Sequence, residues 1–67
     1  MIDIQSIKAE MARNNLTQMQ LSKKLGLSFQ TLNLKMRGIR PFKANEISSI
    51  AKILGVDLNI FFKKDVN

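Results

Sequence analysis

Three polar side chains recur at helical spacing near the middle of the chain. Gln30, Asn33 and Arg37 are three and four residues apart, within the stretch LSFQTLNLKMRGIR at positions 27–40. On a helix this spacing places them in one stripe. Carboxamides can form paired hydrogen bonds with adenine, and a guanidinium group suits guanine or a phosphate. The stripe could therefore contact base edges, and an ordinary solvent-facing helix surface is the alternative interpretation.

Groups that usually perform catalysis or hold metals are scarce. The 67 residues include no cysteine and no histidine, which removes disulfides, the usual zinc ligands and the commonest general base. The carboxylates are scattered, with no adjacent pair: Asp3, Glu10, Glu46, Asp57 and Asp65. We therefore expect no enzyme activity, no cofactor and no metal site.

Positive charge is concentrated in one part of the chain. The formal net charge is +6, and the pI is about 10.2. No acidic residue lies between Glu10 and Glu46, and this interval contains the bases Arg13, Lys23, Lys24, Lys35, Arg37, Arg40 and Lys43. Clustered bases with a pI above ~9 are typical of proteins that bind polyanions. A solvated basic surface without a partner is the alternative.

The length and composition favour one small domain over residues 1–67. No apolar run approaches the ~20 residues of a membrane helix, and the N-terminus does not resemble a signal peptide. The lack of cysteine fits a reducing compartment, so we expect a cytoplasmic protein with no membrane partner.

Hydrophobic periodicity predicts a compact all-α bundle of about five short helices. The predicted helices cover about residues 4–13, 18–25, 29–37, 44–54 and 58–62, before the polar tail KKDVN. Such short helices are unstable alone in water and must share a core. The predicted core residues are Ile7, Met11, Leu16, Leu21, Leu25, Leu27, Leu32, Met36, Ile47, Ile50, Ala51, Leu54, Val56 and Leu58.

The second and third helices have sharp predicted ends. Thr17 and Gln20 form a capping-box pattern, Gly26 marks the end of the second helix, and Ser28 can cap the third. The helices are thus joined by GLS, which has the length and glycine content of a helix-turn-helix turn.

The same segments resemble a known family. LTQMQLSKKLGLSFQTLNLKMRG is similar to the helix-turn-helix of lambda repressor and Cro-type DNA-binding proteins, and IRPFKANEISSIAKILGVDLNIFF resembles their fourth and fifth helices. The resemblance covers about residues 4–62. It implies a sequence-specific regulator of transcription that binds double-stranded DNA, most closely a small Cro-like repressor of a phage or mobile element, which binds its operator as a homodimer.

The resemblance also implies roles for particular residues. The third helix is the expected recognition helix, and its base-reading positions are Phe29, Gln30, Asn33 and Leu34. The expected phosphate contacts are Gln18, Lys35, Arg37, Arg40 and Lys43, with Gln18 also bracing the recognition helix. Three positions depart from the family pattern. Phe29 replaces a residue that is often polar, Lys35 replaces one that is often buried and apolar, and Lys43 replaces a capping serine or threonine.

Several apolar residues have two interpretations. Phe29 either packs against the second helix or the turn, or contacts a thymine methyl group. Leu34, expected to be exposed, either contacts such a methyl or belongs to a surface for a protein partner. Leu58 with Phe61 or Phe62 closes the core, and the remaining phenylalanine with Ile60 forms a dimer patch or incidental surface.

A different class of protein is the rival interpretation. Some proteins of this fold act as protein-interaction modules, such as antirepressors or antitoxins. In that case Phe29 and Leu34 would bind the protein partner, and any affinity for DNA would be weak and indifferent to sequence.

Overall fold

The polypeptide forms four α-helices followed by a short 3₁₀ helix. The structure is a computed structural model that describes residues 2–62. The helices are α1 (Ile4–Arg13), α2 (Gln18–Leu25), α3 (Phe29–Met36) and α4 (Ala44–Leu54), and the 3₁₀ helix covers Leu58–Phe61. The predicted all-α class is confirmed, although the fifth helix has 3₁₀ geometry. The tail at 63–67 lies outside the described residues.

The helix ends follow the local signals in the sequence. The Thr17 hydroxyl accepts the Gln20 N–H at 3.1 Å, and the Gln20 carboxamide accepts the Thr17 N–H at 2.9 Å. Gly26 ends α2 with φ of 70°, a left-handed conformation that costs glycine little. Ser28 begins α3 by accepting the Thr31 N–H at 3.1 Å. These short-range bonds confirm the predicted capping box and the turn between α2 and α3.

The core lies where the apolar faces of all the helices meet. Its buried members are Ile7, Met11, Leu21, Leu32, Met36, Ile47, Ile50, Ala51, Leu54 and Phe61. Leu16, Leu25 and Val56 are partly buried against it, and Leu27 is partly buried in the turn. The prediction that Leu58 is a core residue is wrong, because its side chain is 37% exposed.

Phe61, one of the two phenylalanines expected to close the core with Leu58, is fully buried. The Asp3 N–H donates to the Phe61 carbonyl at 2.6 Å, and Ile2 and Phe62 form an antiparallel bridge. This pairing of distant segments holds the 3₁₀ helix beside α1 and turns the Phe61 side chain inward. No helix in the described part of the chain is long and apolar enough to cross a membrane.

Candidate nucleic-acid interface

Helix α3 has one buried face and one polar face. Leu32 and Met36 lie in the core. Gln30 and Arg37 are exposed, and Asn33 between them is partly buried. Arg37 is the C-cap of α3, so the helix ends one residue earlier than predicted. The polar stripe predicted from the spacing therefore exists as a surface of α3.

A hydrogen bond between side chains joins this stripe to α2. The Asn33 carboxamide N–H₂ donates to the Gln18 side-chain oxygen at 3.2 Å. Gln18 is the first residue of α2, directly after its cap Thr17. A carboxamide has two N–H donors and one carbonyl acceptor. Asn33 thus keeps one N–H and its oxygen, and Gln18 keeps its own N–H₂ group at the start of α2.

This arrangement leaves two different sets of groups for a ligand. The remaining donor and acceptor of Asn33 match the N7 acceptor and N6 donor of adenine. The N–H₂ group of Gln18 suits an acceptor such as a phosphate oxygen, and it lies at a helix N-terminus, where negative charge is favoured. The brace between Gln18 and the recognition helix that the resemblance implied is thus a contact in the structure.

The loop between α3 and α4 carries three exposed cations. Arg37, Arg40 and Lys43 are all exposed. The N–H groups of Ile39 and Arg40 both donate to the Leu34 carbonyl, at 2.9 Å and 3.3 Å, so the loop folds back on the last turn of α3. These backbone bonds hold Arg40 close to the C-terminal end of α3, where Arg37 ends the polar stripe.

Lys35 does not belong to this exposed set. Its side chain is buried, and its ammonium group lies 2.5 Å and 2.6 Å from the two carboxylate oxygens of Glu46. A cation that is buried and already paired cannot reach a phosphate without breaking its ion pair. Lys35 is therefore a structural residue paired with Glu46, contrary to the expectation that it contacts a phosphate. It replaces the usual apolar residue of the family because Glu46 neutralises it.

Glu46 also organises the start of α4. Its carboxylate accepts the Lys43 N–H at 2.8 Å, while the Lys43 side chain makes no capping bond. This agrees with the expectation that a lysine there leaves α4 without a side-chain cap from its own N-cap residue. Burial by itself would raise the pKa of Glu46, but the hydrogen bonds from Lys35 and Lys43 and the charges of both lysines hold it below its ordinary value.

The apolar residues of this surface differ from expectation. Leu34 is partly buried rather than exposed. Phe29, the first residue of α3, is 41% exposed, so its side chain is outside the core but is not fully exposed to solvent. Ile39 is 58% exposed between two of the loop cations, and sequence reasoning did not single it out. Ile39 follows Gly38 and belongs to no apolar stripe of a helix, and this position could have indicated that its side chain is exposed.

The remaining bases of the basic interval lie elsewhere. Lys23 and Lys24 are exposed in the last turn of α2. There their positive charges interact favourably with the negative end of the helix dipole. Arg13 forms an ion pair with Glu10 within α1. Their positions fit the interpretation of Lys23 and Lys24 as solvated charges.

Two helices joined by a three-residue turn, with a polar stripe on the second, define a helix-turn-helix protein, the class whose second helix enters the major groove of DNA. A family model described as helix-turn-helix matches residues 7–61. The chain therefore belongs to this family, the lambda repressor and Cro-like group of DNA-binding regulators. No curated protein and no solved structure matches the chain.

Proposed function

We propose that this protein is a small Cro-like repressor of transcription, which acts in the cytoplasm on a specific double-stranded DNA operator. Helix α3 enters the major groove, where Gln30 and Asn33 hydrogen-bond to base edges. Gln18, Arg37, Arg40 and Lys43 contact phosphates and set the register of the helix. The proposal assigns no residue to catalysis.

The observation that carries this proposal is the contact between Asn33 and Gln18. It holds the Asn33 carboxamide, the proposed base-reading group on α3, against the Gln18 carboxamide, the proposed phosphate-binding group on α2. A residue held in this way loses less side-chain freedom when it binds a base. The exposed cations of the adjoining loop supply the sequence-independent attraction to the backbone.

Binding as a homodimer is part of the proposal. Two copies on a two-fold site would place their recognition helices about 34 Å apart, one turn of B-DNA. Leu58, Ile60 and Phe62 are exposed apolar residues near the end of the described chain, and we refer to them as the C-terminal apolar patch. This patch is the surface that we propose for the contact between the two copies.

The test is selection of bound sequences from a random duplex DNA library at about physiological salt. A two-fold symmetric site with half-sites one helical turn apart is the expected result. Enrichment of a single half-site would retain the base-reading role of α3 and contradict the dimer. Absence of enrichment would contradict the proposal. The exposed Phe29 and Ile39, at the two ends of α3, would then be the first residues to examine for contact with a protein partner.

A further inference from the structure

Phe29 is an exposed apolar side chain beside polar residues at the start of α3. It is 41% exposed, whereas the fully buried Phe61 shows that a phenylalanine of this chain can be enclosed completely. Gln30 beside it is exposed, and Asn33 lies four residues further along α3, on the same side of the helix. Phe29 therefore lies in line with the polar stripe, at the N-terminal end of α3.

The position of Phe29 is well defined by its neighbours. Ser28 caps α3 through the Thr31 N–H, and the Ser28 hydroxyl also donates to the Thr31 hydroxyl at 2.8 Å. These bonds hold the first turn of the helix, of which Phe29 is the first residue. In helix-turn-helix proteins the N-terminal residues of the second helix are those that reach base edges.

The chemistry of the side chain limits what it can recognise there. A phenyl ring neither donates nor accepts a conventional hydrogen bond, so it cannot read the donor and acceptor pattern of the major groove. The apolar feature of that groove is the methyl group at C5 of a pyrimidine, present in thymine and also in 5-methylcytosine. Burying this methyl against the ring removes apolar surface of both partners from water.

We infer that Phe29 binds the C5-methyl group of a pyrimidine in the operator, and that this contact determines specificity at one base pair of each half-site. The inference rests on the proposed function, because it requires α3 to lie in the major groove. An adenine bound by a carboxamide pairs with a thymine, whose methyl lies in the same groove. A half-site rich in A·T pairs would therefore suit Gln30 and Phe29 together.

The experiment uses the full chain and the operator obtained by selection. Each thymine of a half-site is replaced singly by deoxyuridine, which removes the C5-methyl and leaves base pairing intact. Affinity is measured by fluorescence anisotropy with labelled duplex. Wild-type protein is expected to bind about four-fold more weakly when one particular thymine loses its methyl, the equivalent of one buried methyl group.

Variants of the protein assign this effect to Phe29. Phe29→Ala should bind the unmodified operator about four-fold or more weakly and should be indifferent to deoxyuridine at that position. Phe29→Leu, which keeps an apolar side chain, should retain part of the sensitivity. Met19→Ala is the matched control, because Met19 is an apolar residue of similar exposure, 49%, that lies on α2 and has no assigned role in DNA or dimer contact. It should respond to deoxyuridine as the wild type does.

A parallel selection from DNA in which 5-methylcytosine replaces cytosine separates the two sources of the methyl. A thymine enriched at the sensitive position from unmodified DNA identifies thymine, and a site enriched only from methylated DNA identifies 5-methylcytosine. A selected site that is insensitive to every methyl removal would overturn the inference and leave the proposed function standing. Sensitivity retained by Phe29→Ala would also overturn the inference alone. Failure to select any site from either library contradicts both.

Discussion

The ammonium group of Lys35 and the carboxylate of Glu46 form a buried ion pair between the last turn of α3 and the first turn of α4. Because Glu46 also accepts the Lys43 N–H, one carboxylate binds both ends of the loop between α3 and α4, which we call the basic loop. The pair thus ties the end of α3 to the start of α4, on either side of the segment that carries Arg40. A carboxylate so close to a proposed DNA surface is tolerable because Lys35 neutralises it.

Breaking this pair should destabilise the fold more than removing it entirely. Glu46→Gln or Lys35→Met alone leaves one buried charge without its partner, at a cost of about 3 kcal/mol in the free energy of unfolding. The double variant Lys35→Met with Glu46→Gln should be more stable than either single variant, because it leaves no unpaired buried charge. Urea denaturation of the variants measures the coupling between the two residues. Purely additive losses would show that the two side chains do not interact.

The same carboxylate predicts a dependence of stability on pH. The pKa of Glu46 is lowered in the folded protein, so the unfolded state binds more protons in the acid range. The stabilisation is therefore complete above the ordinary pKa of glutamate, about 4.3, and is lost as the pH falls through the lower pKa of the folded state. The difference in unfolding free energy between wild type and Glu46→Gln should be constant near neutral pH and shrink below about pH 4. A difference that does not change with pH would contradict the lowered pKa.

Substitutions at Asn33 and Gln18 should affect DNA binding in different ways. Asn33→Ala should relax the preference at one base pair, with a loss of about 1–3 kcal/mol for the selected operator and little loss for unrelated DNA. Gln18→Ala should weaken binding to both and also reduce discrimination at the base pair of Asn33, because the brace is removed. Selection and competition binding with both variants measure these effects.

Gln20→Ala is the matched control for Gln18, because Gln20 lies two residues further along α2 and its side chain is occupied in the capping box. Its loss should lower thermal stability without changing the preferred sequence. An unchanged base preference in Asn33→Ala would remove Asn33 from the base-reading residues.

Arg40→Ala should weaken binding to all sequences alike. Loss of one phosphate contact should reduce the slope of log affinity against log salt concentration by about one unit. Lys52→Ala is the control, because this residue is exposed in the last turn of α4, at the opposite end of that helix from the basic loop. Titrations at several salt concentrations measure both slopes. Equal slopes for Arg40→Ala and wild type would exclude a phosphate contact by Arg40.

The sequence alone located the helices and the turn because their signals are local. The Thr17–Gln20 capping box, the Ser28 cap and the left-handed Gly26 each involve residues no more than four positions apart. The spacing of Gln30, Asn33 and Arg37 likewise predicted one polar stripe. Helical geometry relates such residues by a fixed rotation and rise, so their arrangement follows from position in the chain.

Contacts between distant parts of the chain decided the rest. In the sequence, Lys35 is one more base of the basic interval. It is three residues from Leu32 and next to Met36, and in the folded protein it lies on the buried side of α3. Only the approach of α4 supplies Glu46, eleven positions away, as its partner. Whether Phe61 or Phe62 enters the core was left open by the sequence, and the buried residue is Phe61, whose carbonyl pairs with the N-terminal segment. Sequence spacing determines which face of a helix a residue occupies, whereas the packing of helices determines what that face meets.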